Sequence, residues 1–306
     1  MSLAISTSWN AALHTSGKDL LTDLKPLGIS ELELSFNLTR GMVEEIAALL
    51  PEFGFQVVSV HNYCPIPDGI ERQRALPDCY SVTSLNEDER RQAVSFTKRT
   101  IETAFRLGAQ AVILHAGRVE IPDRTRQLID LFNAGKARGE EYARLIELMT
   151  REREDNLKPF LEQLLLSLEE LLPYAQQKNI KLGIENRYYF REIPSFEELE
   201  LVFECFDRLP LFYWHDVGHA QLYENLGLQN HLDYLKRYSR KLLGIHLHDI
   251  KGTDDHLAPL CGDFEFSKLL PFIKADTLKV VEAHQPASEA EIQNAARYLN
   301  QLFGGG

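Results

Sequence analysis

The chain has 306 residues, of which 44% are hydrophobic and 25% charged. Such proportions describe a globular protein with a large core and exclude disordered, collagen-like and disulfide-stapled miniprotein classes. With 45 acidic against 33 basic residues, the formal net charge is −12, which disfavours a broad nucleic-acid surface because such surfaces need clustered cations. A local basic pocket stays open.

Eight short apolar runs follow in chain order, at residues 4–9, 31–36, 56–61, 111–115, 180–185, 211–216, 242–246 and 278–282, each followed by an amphipathic helical stretch. Strands rich in Val, Ile and Leu that alternate with helices indicate parallel β/α units. Eight such units predict an α/β fold, a single closed (β/α)8 TIM barrel spanning residues 1–303, with a doubly wound open sheet as the structural alternative. The length alone would suggest about two domains of roughly 150 residues, but barrels run longer than that as one domain. Run-to-run spacings are 27, 25, 55, 69, 31, 31 and 36 residues, so long insertions are expected after strands three and four. Both follow a strand directly and therefore belong to the C-terminal rim, where barrel active sites are built. The first, residues 62–85, holds Pro65, Pro67, Gly69 and Pro77 and reads as a turn-rich lid; the second, residues 117–156, contains helical stretches such as 140–149. Asn86 or Glu87 opens a helix, residues 164–172 are apolar at helical spacing, and the glycines at 304–306 are expected to form a frayed, disordered tail.

Cys64, Cys79, Cys205 and Cys261 show no CxxC spacing, which predicts free thiols in a reducing compartment. The chain opens with no basic-then-apolar segment and contains no run of eighteen apolar residues. The expectation is a soluble, cytoplasmic protein without a membrane partner, compatible with a homo-oligomer.

The last residues of the runs carry the chemistry: His61, His115, Glu185, Asp216 with His219 three residues on, His246 and Glu282. A closed barrel brings them to one mouth. Three carboxylates converging there would repel one another, and a bound cation is the simplest way to hold them ionised. Singly, each residue has a plainer reading. His61 or His115 alone fits a hydrogen-bonded structural histidine, Glu185 an ion-pair partner of Arg187, and Asp216-x-x-His219 a helix N-cap. Together Glu185, Asp216, His246 and Glu282 predict a metal site. His215 and His248 alternate with these residues and are expected to face the helices; His284 lies beyond its strand end.

The order Glu185-Asn186, Asp216-x-x-His219, His246-Leu-His-Asp249 and Glu282 resembles that of the xylose isomerase-like barrels, over essentially the whole chain. That superfamily contains sugar-phosphate isomerases and epimerases, ketose 3-epimerases, inosose dehydratases and the endonuclease IV type of apurinic endonuclease. The resemblance implies one divalent ion (Mn, Mg, Co or Zn) on Glu185, Asp216, His246 and Glu282. It implies proton transfer through an enediolate flanked by Glu185 and Glu282, with His219 bonding a substrate oxygen. His61 and His115 line the substrate pocket in many such members, and His256 and Arg187 are further substrate-binding candidates.

A phosphosugar would need a cationic cradle, for which Arg118, Arg187 and Lys251 are available; each could instead pair with Glu120, Glu192 or Asp249. Trp9, Phe36, Tyr63, Tyr188 and Tyr189 could stack on a sugar or cap the core. Trp9 and Tyr63 are the favoured substrate contacts, because they follow short strands into the rim.

The endonuclease members compete, since their three-zinc cluster would find donors in His61, His115, Glu185, Asp216, His246, Glu282, His219, Asp254 and His256. Against them, residues 119–156 hold seven basic and nine acidic residues, no cationic track for DNA. The loop at 252–262 is also shorter than the nuclease version. The reading is a metal-dependent isomerase or epimerase of a small sugar, polyol or sugar phosphate, with a zinc-dependent apurinic endonuclease as alternative. A non-catalytic carbohydrate-binding barrel is a third reading, which the intact ligand set disfavours.

Overall fold

The computed structural model describes residues 3–304. Eight parallel strands close into a barrel: β1 (Ala4–Ser6), β2 (Glu31–Leu34), β3 (Gln56–His61), β4 (Ala111–Leu114), β5 (Lys181–Glu185), β6 (Leu211–Asp216), β7 (Leu242–Leu247) and β10 (Leu278–Val281). A two-stranded hairpin, β8 (Asp249–Lys251) and β9 (Asp254–Leu257), follows β7 at the rim. Register sets the mouth: Asp216 lies opposite His246, and His246 opposite Val280, two residues before Glu282.

The inner barrel is filled by Ala4, Val58, Ala111, Ile113, Trp214, Leu243 and Val280. Trp214 fits there because Gly244 faces it; a Cβ at Gly244 would lie 2.3 Å from the indole. Outside the strands run α1 (Gly17–Leu24), α2 (Arg40–Phe53), α3 (Glu87–Leu107), α4 (Thr125–Asn133), α5 (Glu140–Gln177), α6 (Phe196–Cys205), α7 (Val217–Asn225), α8 (His231–Tyr238) and α9 (Glu289–Gly304). Local chemistry starts them. Asn86 caps α3 by accepting the Asp88 and Glu89 amides, and Ser195 with Glu198 forms a reciprocal capping box on α6.

Two rim segments cover the mouth. Residues 62–86, between β3 and α3, contain one 3-10 turn (Arg72–Arg74). The Arg72 guanidinium fastens this segment to the carbonyls of Asn37 (2.9 Å), His14 (2.6 Å) and Ala11. After β4 come α4 and the first half of the 38-residue α5. These pack on α7 and β8 through Leu128, Tyr142, Met149, Leu222, Leu226 and Ile250. Arg153 of α5 ties the cover to the β5–α6 loop, donating to the carbonyls of Phe190 (2.9 Å) and Glu192 (2.8 Å) and pairing with buried Glu198.

Of the expected tail, only Gly304 lies among the described residues. α9 continues through Gly304, held by buried Leu299 and Phe303, and residues 305 and 306 lie outside the described residues. Among the described residues no helix is long and apolar enough to cross a membrane, and all four cysteines are free.

Candidate metal centre and active site

Glu185, Asp216, His246 and Glu282 stand at or just beyond the C-terminal ends of β5, β6, β7 and β10 and are all buried. Each offers one ligand atom, and those four atoms lie within 4.8 Å of one another. His246 Nδ1 is the hub, 2.7 Å from Glu185 Oε1, 2.8 Å from Glu282 Oε2 and 3.7 Å from Asp216 Oδ2. Burial opposes charge on this imidazole, but Glu282, Glu33 and Glu185 outweigh it and hold its pKa well above the ordinary value. Burial likewise works against the carboxylates. His246 and His115 nevertheless hold Glu185 well below the usual range, His219 and His248 do the same for Asp216, and His246 brings Glu282 down to about 2. Three oxygen donors and one imidazole nitrogen in so small a space fit Mn, Mg, Co or Zn.

The supporting contacts fix each donor. Asp216 ends β6 and caps α7, its Oδ1 accepting the His219 amide at 2.7 Å. His248 Nδ1 accepts the His256 amide at 2.9 Å, so its proton resides on Nε2, which donates to both Asp216 oxygens at 2.9 and 3.0 Å. Beneath His246, the fully buried Glu33 of β2 takes the Nε2–H at 3.0 Å and the Ser59 hydroxyl at 2.7 Å. A carboxylate on the far nitrogen of a ligating imidazole orients the ring and raises its basicity.

The donors open into a cavity of about 560 Å³, lined among others by Phe36, Arg118, Tyr188, Tyr189, Asp255 and His284. His61, His115, Glu185, Arg187, His219, His256 and Glu282, named from the sequence, line it as well. Glu185 Oε2 receives His115 Nε2 (2.6 Å) and Arg187 Nη1 (3.1 Å), and Arg187 Nη2 reaches Glu192 at 2.8 Å. Burial and the Arg187 charge push His115 well below its ordinary pKa, so it is a neutral donor. Glu282 Oε1 has no hydrogen-bond partner among the described residues. His256 stacks between His248 (4.1 Å) and His284 (4.0 Å). Two further donor groups overlap the first: His61 with His115 and Glu185, and Asp216 with His219 and His256.

Several expectations need correction. Trp9 does not reach the cavity: residues 7–9 form a 3-10 turn that directs the indole to the Ala287 carbonyl at 2.7 Å. Tyr63 is buried against Phe96 and donates to the Tyr80 carbonyl at 2.7 Å; Phe36, Tyr188 and Tyr189 are the aromatic lining instead. Lys251 and Asp254 are exposed, and it is Asp255 that pairs with His256, at 2.9 Å. His215 does face the helices, bonding Tyr213 and His231, whereas His248 and His284 belong to the site. Glu33 is absent from the residues singled out in the sequence. Its signal is an acid between Leu32 and Leu34, inside an apolar run and on the parity that faces the barrel interior.

Known proteins share this fold. The sequence profile of the xylose isomerase-like TIM barrel matches residues 21–302. Solved structures with the same fold include a D-tagatose 3-epimerase-like protein (18% identity, TM-score 0.69, covering 99% of this chain and 97% of that one). A second is the 3-keto-D-glucoside 4-epimerase YcjR of E. coli (16%, 0.70, 98% and 99%). A third is the IOLI protein with a bound zinc atom (12%, 0.66, 100% and 99%). An uncharacterised protein of Methanocaldococcus jannaschii, MJ1311, is 25% identical over 194 residues, 62% of this chain; the chain spans about half, 55%, of that relative's length. With a profile match running from α1 to α9, this chain belongs to the xylose isomerase-like TIM barrel family.

Proposed function

We propose that this protein is a divalent-metal-dependent isomerase or epimerase of a small sugar, polyol or sugar phosphate, acting in the cytoplasm through an enediolate. The observation that carries the reading is one carboxylate with two jobs. Glu282 is one of the four donors and also lines the cavity, and its Oε1 makes no hydrogen bond among the described residues. The fold shared with sugar epimerases supports the same class. When bound, the ion supplies a Lewis acid for a ketose carbonyl and its neighbouring hydroxyl.

The chain's own groups do the rest. Glu282 Oε1 removes the proton from the carbon between those oxygens. Glu185 stands across the donor set, its Oε2 held between Arg187 and His115, and serves the opposite face. Neutral His115 spends its one N–H on Glu185 and steadies that oxygen; His61, whose Nδ1 is held by the Asn62 carbonyl, offers Nε2 to a substrate oxygen, and His219 and His256 close the other side. Solvent-deuterium exchange at carbon, screened over ketoses, inososes and their phosphates, tests this whatever the product turns out to be. Glu282→Gln and Glu185→Gln are each expected to lower exchange by about 10²–10⁴-fold, the usual share of a general acid or base, with an unchanged circular dichroism spectrum. Undiminished exchange in either variant removes that residue from its role.

The two additional donor groups favour one further reading, a three-zinc hydrolase acting at abasic DNA. Against it, Glu185 Oε2, which a second ion would need, already carries the Arg187 guanidinium at 3.1 Å, and two cations on one oxygen repel. Elemental analysis separates the readings: near one ion per chain supports the isomerase, near three zincs the hydrolase.

A further inference from the structure

Four arginines and no lysine line the cavity: Arg118, Arg126, Arg187 and Arg191. Two are already matched. Arg118 is held by Asp78 (2.8 Å) and Glu120 (3.0 Å), and Arg187 by Glu185 and Glu192. The other two are not. Arg191 finds only the Ile121 carbonyl, at 3.3 Å, and no described carboxylate within salt-bridge distance. Arg126 bonds the Tyr189 hydroxyl at 3.2 Å and lies over that ring at 5.8 Å, with its nearest acid, Asp123, at 3.9 Å. The two are neighbours through their partners, since Ile121 and Asp123 share one loop and Tyr189 and Arg191 the facing one. The Val119 amide joins the loops by donating to the Arg191 carbonyl at 2.8 Å.

Charge around the donors sharpens the contrast. A divalent ion would offset most of the charge on Glu185, Asp216 and Glu282, and neither Arg126 nor Arg191 bonds any of the three. In a chain of net charge −12, two cavity-lining guanidiniums without a hydrogen-bonded carboxylate are out of keeping with their surroundings. A neutral sugar would leave them facing water; an oxyanion on the substrate would meet a planar donor fork suited to it.

We propose that Arg126, Arg191 and the Tyr189 hydroxyl form a subsite for an anionic group on the substrate, a phosphate monoester or a carboxylate. The metal-dependent enzyme therefore acts on a charged sugar and not on a free one. This rests on the reading of the cavity as a sugar site. Asp123 offsets part of the charge and sets the orientation of Arg126.

The test compares the metal-loaded chain with Arg126→Gln and with Arg126→Gln/Arg191→Gln. Arg126 has a side chain 75% exposed, so the single variant is expected to fold. Calorimetric titration with inorganic phosphate at fixed ionic strength should show saturable binding that weakens in both variants. Exchange kinetics on matched neutral, carboxylated and phosphorylated ketoses should favour a charged one. The variants should raise KM for that substrate about ten- to hundred-fold, the range for losing hydrogen bonds to a charged group, with kcat changed far less. Whichever charged ketose is preferred identifies the group. Phosphate binding that survives both variants, or a preference they leave intact, overturns the subsite. Exchange of neutral ketoses alone, without arginine-dependent phosphate binding, overturns the subsite and leaves the isomerase reading standing. Arginine-dependent phosphate binding with no exchange on any ketose does the reverse.

Discussion

Glu33 decides how His246 presents itself. With Nε2 donating to this carboxylate, Nδ1 is turned to the point where Glu185 and Glu282 converge, and an ion bound there would take the place of its proton. Glu33→Gln keeps the volume and removes the charge. Metal affinity should fall about ten- to hundred-fold, as for other outer partners of ligating histidines, read by competition with a chelating dye; unchanged affinity would make Glu33 merely a space-filler. His256 makes a different point. Burial disfavours its charge, but Asp255 outweighs that and raises its pKa from 6.5 to about 9. A histidine pKa raised on folding contributes stability that is complete below about 6.5 and lost as pH rises through about 9. At full strength that is on the order of 3 kcal/mol. In urea unfolding of the metal-free chain, the gap between wild type and His256→Asn should therefore narrow from pH 7 to pH 10. A gap independent of pH refutes the assignment.

At the scale of elements, the junction of β6 and α7 works without a loop: Asp216 is the last residue of the strand and the cap of the helix. That economy requires Gly218, because a Cβ there would lie 2.1 Å from His248 Cε1. Gly218→Ala must push the His248 ring off Asp216. The expected result is metal affinity lowered about ten-fold and stability lowered by about 1–3 kcal/mol from overpacking, measured by metal titration and thermal melting. An alanine variant with wild-type affinity would show that His248 does not hold the ligand. The same neighbourhood explains which features are legible in the sequence. β3 and β6 end where the sequence places them, because apolar alternation stops at a polar residue, and the four principal donors are strand-end residues whose direction follows from the strand. Two residues after His246, His248 shares its parity, so strand alternation puts it on the mouth side with the donors, and expecting it against the helices misreads that parity. Past a strand end the rule lapses. Trp9 and Tyr63 fail likewise: a 3-10 turn redirects one, and the lid segment buries the other. Glu33 is readable by parity, but an isolated acid in an apolar run carries no mark of its partner across the barrel.

For the molecule as a whole, folding brings three acids to one point that the unfolded chain keeps apart, so a cation that binds only the closed barrel stabilises it. At one hundred times its dissociation constant the ion adds about 2.7 kcal/mol, roughly 5 °C in a chain of this size. Dialysis against chelator should lower Tm by about that amount and metal should restore it; a Tm indifferent to both would argue against a resident ion. The cover enters this balance through a mechanical route. Arg153 of α5 grips the Glu192 carbonyl, the Glu192 carboxylate holds Arg187, and Arg187 holds Glu185. Three contacts thus link the helix over the mouth to a carboxylate at its floor, and a tilt of the cover is expected to re-aim Glu185 Oε2.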